Sequence, residues 1–481
     1  MSVKLRALWV LASLTLTFGV AQSRCSPIKT YPIPDGVPQK DSYDVKVRSP
    51  DGEWLAVGTY ETRHHEINTT TGSAMIHTGS MAYFDFSGHV EVSVTYKAGS
   101  VVAARVRPDS VGILPAVQGN TISFTLDKPQ NVVVHATTDV FDVLHLFSNP
   151  IVNETAAKSD PDTIFYGPGY HTANGTIFVP SGKTLYLAGG AVLQASVNFD
   201  NATGVAMRGH GILYKSQDST ISVWRTRNLL VEDVIVLNPG HYTVNIAEAE
   251  DITIRGLRSF SAVGWGDGID VFSSSNVLLD HLFMRNSDDC IALYNHRFDW
   301  YGDSSNITLQ NSILWADVAH PINIGTHGNS VNPETMSGVT IRNVDILDHR
   351  ELQMDYQGCI AINPGDSNLI ADVLIEDVRV EDFRIGQLVN MRVAYNPKYN
   401  TSPGRGIRNV TIRTLSYRGT HAGTAVMAGY DETRGIEGVR FENLTINGRQ
   451  ISDTMKKPSW YLTTDYIPMY VNDYVKNLTF V

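Results

Sequence analysis

The chain has 481 residues, 42% of them hydrophobic and only 18% charged, with a formal charge of −11. That apolar content supports a real core and excludes a disordered chain. With 49 acidic against 38 basic residues, no basic stripe exists to displace phosphate counterions, which argues against a nucleic-acid binder.

Lys4 and Arg6 precede an apolar run, Ala7 to Val20, that ends in Ala21-Gln22-Ser23. The run is too short to span a bilayer comfortably, and small residues flank a polar one at its end. This pattern predicts a signal peptide over residues 1–23 and a secreted, extracellular chain. No later run is long and apolar enough to cross a membrane. Cys25, Cys290 and Cys359 are too few for a disulfide framework, and a Cys290–Cys359 bridge stays open at this point. N-x-S/T sequons begin at Asn68, Asn153, Asn174, Asn201, Asn306, Asn400, Asn409, Asn443 and Asn477, so a secreted chain is expected to carry glycan at several of them.

From about Ser42 to Phe147 the pattern alternates apolar and polar residues in strand-length runs, as in Val90-Glu-Val-Ser-Val-Thr-Tyr96. Turn residues such as Ser49-Pro50-Asp51-Gly52 separate them. Period-two strands at that spacing predict an antiparallel β-sandwich, and we place an N-terminal domain at residues 24–155. The polar stretch Ser148 to Pro161, with its prolines, reads as a linker.

Beyond it, over residues 156–481, a repeat takes over. Copies begin at Asn228, Asp251, Asn276, Asn306, Gly338, Asp372, Asn409 and Gly438, at separations of 23, 25, 30, 32, 34, 37 and 29 residues. Each copy holds two short alternating strands broken by a polar bend. Such periods mean a solenoid or a propeller, and the copies are too short for a four-stranded blade. The all-β reading is a right-handed parallel β-helix in which Val, Ile and Leu stack between coils. Variable loops between the strands are where a solenoid builds its site.

Two acidic clusters stand out. One is Gly264-Trp265-Gly266-Asp267-Gly268-Ile269-Asp270, and the other is Arg285-Asn286-Ser287-Asp288-Asp289-Cys290. Asp267 and Asp288 lie about one coil apart, and adjacent strands are about 4.8 Å apart, so the carboxylates should interact. Like charges that close push at least one pKa up, which provides a protonated acid beside an ionised base. Consecutive strand residues face opposite ways, so Asp288 and Asp289 must sit at a bend to serve one site. His320, in Ala319-His320-Pro321-Ile322-Asn323, follows roughly one coil later, placed to bond a carboxylate or a sugar hydroxyl. No tight metal-ligand spacing such as His-Glu-x-x-His and no cofactor motif appears, so neither a metal nor a cofactor is expected.

The ordered set Asp-Gly-Ile-Asp, Asp-Asp-Cys-Ile-Ala and His-x-Ile-x-Ile-Gly resembles the signature of the polygalacturonase family, inverting β-helix hydrolases of pectin. The resemblance covers approximately Phe165 to Val481. It implies that Asp288 is the general acid, that Asp267 and Asp289 hold the attacking water, and that His320 supports the acid. The family's Asn-Thr before the first Asp is Trp265-Gly266 here. Its fourth motif, Arg-Ile-Lys, which clamps the sugar carboxylate, is replaced by Gly358-Cys359-Ile360-Ala361-Ile362. Arg392, one coil on, is the candidate substitute, with Asp270, Trp265 and Tyr294 as further substrate-binding candidates. The dextranase and isopullulanase family is similar in having a β-sandwich before its β-helix. A neutral glucan would need aromatic platforms, and Trp265, Tyr294, Trp300 and Tyr301 all fall in or beside the motif loops. The expected partner is thus a polysaccharide, and the expected state a monomer. A calcium-dependent lyase and a non-catalytic carbohydrate-binding β-helix are the alternatives from other classes.

Overall fold

The computed structural model describes residues 27–481. The expected signal peptide and Cys25 lie outside the described residues. No helix among the described residues is long and apolar enough to cross a membrane.

The repeat starts have a simple backbone meaning. Asn228, Asp251, Asn276, Asn306, Gly338, Asp372, Asn409 and Gly438 all adopt positive φ, between 51° and 73°. Only Gly, and at smaller cost Asn and Asp, enters the left-handed region readily, which is why each copy opens on one of those three. A second left-handed bend follows five residues later, at Asp233, Gly256, His281, Asn311, Asn343, Asp377, Thr414 and Asn443. Each bend turns the chain from one strand into the next, and identical bends stack. The Asn306 amide donates to Asn276 Oδ1 at 2.8 Å, and the Asn276 amide to Asp251 Oδ1 at 3.0 Å.

The result is a parallel β-helix whose strands pair in register from coil to coil between Thr163–Tyr166 and Val475–Phe480. Inward side chains form one continuous core of Val, Ile and Leu along the axis. The solenoid has three faces. One, exemplified by Arg227–Glu232, Glu250–Arg255 and Ser275–Asp280, turns alternate polar residues to solvent. The second comprises Ile235–Leu237, Arg258–Phe260 and Phe283–Asn286. The third stacks Val244–Ala247, Ile269–Phe272, Ile291–Tyr294, Ile322–Ile324, Ile360–Ile362 and Val389–Arg392.

The residues before the solenoid form two packed sheets, of six and five strands, around a separate core that includes Val45, Phe84, Val92 and Leu146. The pairing departs from the expected all-antiparallel pattern. Val143–Pro150 inserts between Asn131–His135, which it meets antiparallel, and Ala74–Phe86, which it meets parallel. A parallel pair needs a long crossover, and the strands between Phe86 and Val143 supply it. This sandwich covers the second face of the solenoid, where Tyr60, Tyr83 and Phe147 pack with Phe260, Phe283 and Trp315. Cys290 and Cys359 are both buried free thiols and are not bridged. Among the sequons, Asn400 is a poor acceptor for glycan, because it is buried with its amide donating to the Thr326 carbonyl at 2.6 Å.

Candidate active site on the third face

Two bends in neighbouring coils build the site. The ladder pairs Ile269 with Ile291, so Asp267 lies level with Asp289, while Asp288 sits in the bend between Phe283–Asn286 and Ile291–Tyr294. The bend expected from the Asp-Asp sequence is therefore present. Gly268 is required by close approach: a Cβ there would meet the Cys290 carbonyl oxygen of the next coil at 2.2 Å. Oxygens of Asp267, Asp288 and Asp289 lie within 4.8 Å of one another. Asp267 and Asp289 are buried and Asp288 is partly exposed.

The three carboxylates differ in what they bond. Asp289 accepts from four donors. His320 Nδ1 (2.6 Å) and the His320 backbone N–H (3.2 Å) donate to Oδ1, while the Asn323 amide (2.7 Å) and the Tyr294 hydroxyl (3.2 Å) donate to Oδ2. The other ring nitrogen of His320 donates to the Tyr356 carbonyl. Both nitrogens thus face acceptors, so the ring is an imidazolium. Burial pushes the Asp289 carboxyl up, but His320 and these hydrogen bonds outweigh it and hold Asp289 below the usual range. Burial likewise opposes charge on His320, and Asp289 overcomes it, raising the imidazole.

Asp267 has the opposite surroundings. Its Oδ1 and both oxygens of the adjacent, fully buried Asp270 have no donor. Burial, then the charge of Asp270 and Asp289, lifts Asp267 well above the carboxylate range. Burial and the charges of Asp289 and Asp288 do the same to Asp270. Asp288 is raised by burial and by Asp267 and Asp289. One ionised carboxylate beside three that resist ionisation is an arrangement suited to general acid–base work.

The remaining expected residues divide. Tyr294 is under the site, its ring stacked on Phe272 and its hydroxyl on Asp289, and so offers no open platform. Trp265 is an exposed loop-tip residue at φ 58°, a costly conformation for a bulky side chain. Arg392 is three coils beyond Tyr294, about 14 Å along the axis, and its guanidinium is bound to Asp355 at 2.7 Å. It therefore stands away from the carboxylates. Ala319, where the resembling family has glycine, takes φ 65° just before His320.

Sequence reasoning missed three contributors. Asn323 was legible in principle, as a polar residue between two inward isoleucines, in register one coil beyond Ala292. Tyr356, whose ring lies 4.3 Å from His320, comes from a loop with no motif. Arg297 follows Tyr294 in a loop. Its charge favours ionisation of Asp267 and Asp270, it bonds the Tyr242 hydroxyl, and its Nε is buried with no partner.

The model of glycosyl hydrolases family 28 matches residues 184–460, more than half of the chain. The chain belongs to glycosyl hydrolases family 28. Among curated relatives, the chain is similar to "Probable endopolygalacturonase D" of Emericella nidulans, 21% identical over 221 residues, 43% of this chain and 40% of that one. The exopolygalacturonase of Platanus acerifolia is 28% identical over 119 residues, 24% of this chain and 29% of that one. The matches thus span less than half the length of these relatives. Among solved structures the fold is similar to Dex49A from Penicillium minioluteum, with a TM-score of 0.66 at 14% identity, covering 94% of this chain and 96% of that one. The family 28 exopolygalacturonase of Yersinia enterocolitica gives 0.53 at 12% identity, covering 81% and 96%.

Proposed function

We propose that this protein is a secreted, inverting glycoside hydrolase of acidic polysaccharide, polygalacturonase-like in its chemistry. The observation that carries the reading is the trio of carboxylates within 4.8 Å, one fixed as an anion and two held toward the protonated form, in a family 28 chain. Asp288, partly exposed and raised, is the general acid for the leaving oxygen. Asp267 and Asp289 hold the water. A water donating two hydrogen bonds of about 2.7–2.8 Å spans acceptors a little over 4 Å apart, which suits two oxygens of this trio. His320 fixes Asp289 and tunes it without touching the sugar.

Carboxylate separation alone would argue differently. Inverting enzymes usually hold acid and base about 6.5–9.5 Å apart, and this trio is closer. What favours inversion is the presence of two carboxylates able to clamp one water, where a retaining enzyme needs a single nucleophile. Arg297 favours an acidic sugar, since its charge acts on Asp267 and Asp270 and its Nε has no partner. The exposed Trp265, together with a fold shared along nearly the whole chain with Dex49A, favours a second reading on neutral glucan. A divalent cation would need Asp267 and Asp288 ionised beside an imidazolium that already neutralises Asp289, so activity should survive a chelator.

Reducing-sugar release from polygalacturonate, rhamnogalacturonan, dextran and pullulan tests the reading, with NMR of the first product formed. Release from polygalacturonate with inverted anomeric configuration is expected, and is lost in Asp288→Asn. Retained configuration, or calcium-dependent ultraviolet-absorbing product, would refute it.

A further inference from the structure

Loops that precede each strand of the third face flank it on one side, and loops that follow each strand flank it on the other, so the face is the floor of a trough. A polymer lying along the stacked strands must run between them. On the side of the later coils, the walls meet. The loop before Ile360–Ile362 contributes Gln353, Asp355 and Tyr356, and the loop after Val389–Arg392 contributes Lys398 and Tyr399. Tyr356 stacks on Tyr399 with centroids 4.8 Å apart and planes at 27°. Lys398 Nζ donates to Gln353 Oε1 at 2.7 Å, and the Tyr399 hydroxyl to the same oxygen at 3.3 Å. Arg392 closes the crossing on Asp355. The outward-facing Ala361 beneath is wholly buried.

The crossing is anchored at both ends. Tyr356 takes a hydrogen bond from His320 on its carbonyl and one from Asn323 on its hydroxyl. On the other wall Asn400 is tied to Thr326, and Thr401 to Asp366 at 2.5 Å. Toward the earlier coils the trough is lined differently. Trp265 on one lip, and Phe298 and Tyr301 on the other, are 58%, 55% and 52% exposed. Exposed aromatic faces at a cleft mouth are the side chains on which sugar rings stack.

We infer that the trough is blind at one end, so that the enzyme accepts a polysaccharide terminus and works from chain ends. The polymer enters between Trp265 and Phe298, and its end abuts the Tyr356–Tyr399 crossing. Tyr356 bonds Asn323, one coil spacing of about 5 Å beyond Ala292, which leaves room for about one sugar residue beyond the cleaved bond. Arg392 thereby acts as part of the barrier, and the expectation that it clamps substrate gives way to a structural task.

This inference rests on the hydrolase reading, and one experiment separates the two. Polygalacturonate is digested by the wild type, and products are sized in the first minutes while viscosity is followed per bond cleaved. A single mono- or disaccharide product with little viscosity loss is expected. A ladder of oligosaccharides with early viscosity collapse would overturn the blind end and leave the hydrolase intact. No release from polygalacturonate or any other polymer of the panel would remove both. Tyr399→Ala opens the crossing and should lose the single-product profile, with larger products appearing and more viscosity lost per bond. If Tyr399→Ala does not fold by circular dichroism, Gln353→Ala serves, since it removes only the acceptor shared by Lys398 and Tyr399. An unchanged single product from a folded, opened variant would contradict the assignment.

Discussion

Two regions of this molecule bury ionisable groups, and they do it in opposite ways. At the junction of sandwich and solenoid, Arg285 is fully buried, yet each of its faces is engaged. Nε and Nη2 reach Asp317 at 3.1 Å each, Nη2 reaches the Val140 carbonyl at 3.0 Å, and the guanidinium lies 4.0 Å over the Trp315 ring. Three residues later the chain enters the proposed active site, where oxygens of Asp267 and Asp270 are buried with no protein donor. Paired buried charge fixes two parts of a molecule relative to each other. A buried carboxyl group with no donor costs stability and is retained where a proton or a water must be moved. The same strand, Phe283–Asn286, carries the first and delivers the second, so the sandwich holds the bend that presents Asp288.

The largest effect should come from removing one side of the Arg285–Asp317 pair. Arg285→Ala leaves Asp317 buried with less compensation and should cost about 3–5 kcal/mol, read as a lowered midpoint in denaturant unfolding. A loss below 1 kcal/mol would mean the junction does not depend on this pair.

In the active site the effect should fall on rate. Asp288→Asn and Asp289→Asn should each lower turnover by about 10²-fold or more, the scale of lost general acid–base help, with the fold kept. The wild-type profile should be a bell. Asp289 must be ionised, so rate falls as pH drops through its depressed value. Asp288 must be protonated, so rate falls as pH rises through its elevated one. His320→Gln should cost less at the optimum and move the acid limb upward, because burial then raises Asp289 against only its remaining hydrogen bonds. An unmoved acid limb would show that His320 does not act through Asp289.

Smaller effects distinguish the regions by sign. Asp270 has an elevated folded value, so its contribution to stability is present below about pH 3.9 and lost as pH rises through that elevated value. Asp270→Asn should therefore stabilise the protein at neutral pH, by about 1–3 kcal/mol if the full cost of an unpaired buried group is relieved. At the junction, His210 bonds Asp85 at 2.7 Å. Burial opposes its charge, but Asp233 and Asp85 lift it to about 9. Its stabilisation is complete below about pH 6.5 and is lost as pH rises through about 9, so the thermal midpoint should fall across that window and His210→Gln should flatten the fall.

The solenoid was legible because its bends demand Asn, Asp or Gly at fixed offsets and its core demands alternating aliphatics. Both requirements are local and leave a mark on every copy. Asp267, Asp288, Asp289 and His320 were legible for the same reason, since one-coil spacing turns sequence distance into contact. Tyr356 and Tyr399 were not, because they come from loops of variable length whose meeting depends on three coils at once. Arg392 reads in sequence as a free cation, and only its pairing with Asp355 shows what occupies it. The parallel strand in the sandwich was equally hidden, since alternation fixes a strand's faces and says nothing about its neighbour's direction.

The claim that unpaired buried carboxylate is kept for chemistry is tested most directly at Asp267, by measuring turnover and thermal midpoint of Asp267→Asn on the same preparation at neutral pH. The account predicts turnover lower by about 10²-fold or more with a midpoint equal to or above that of the wild type. Turnover near the wild-type value, or a midpoint lowered as by Arg285→Ala, would contradict it.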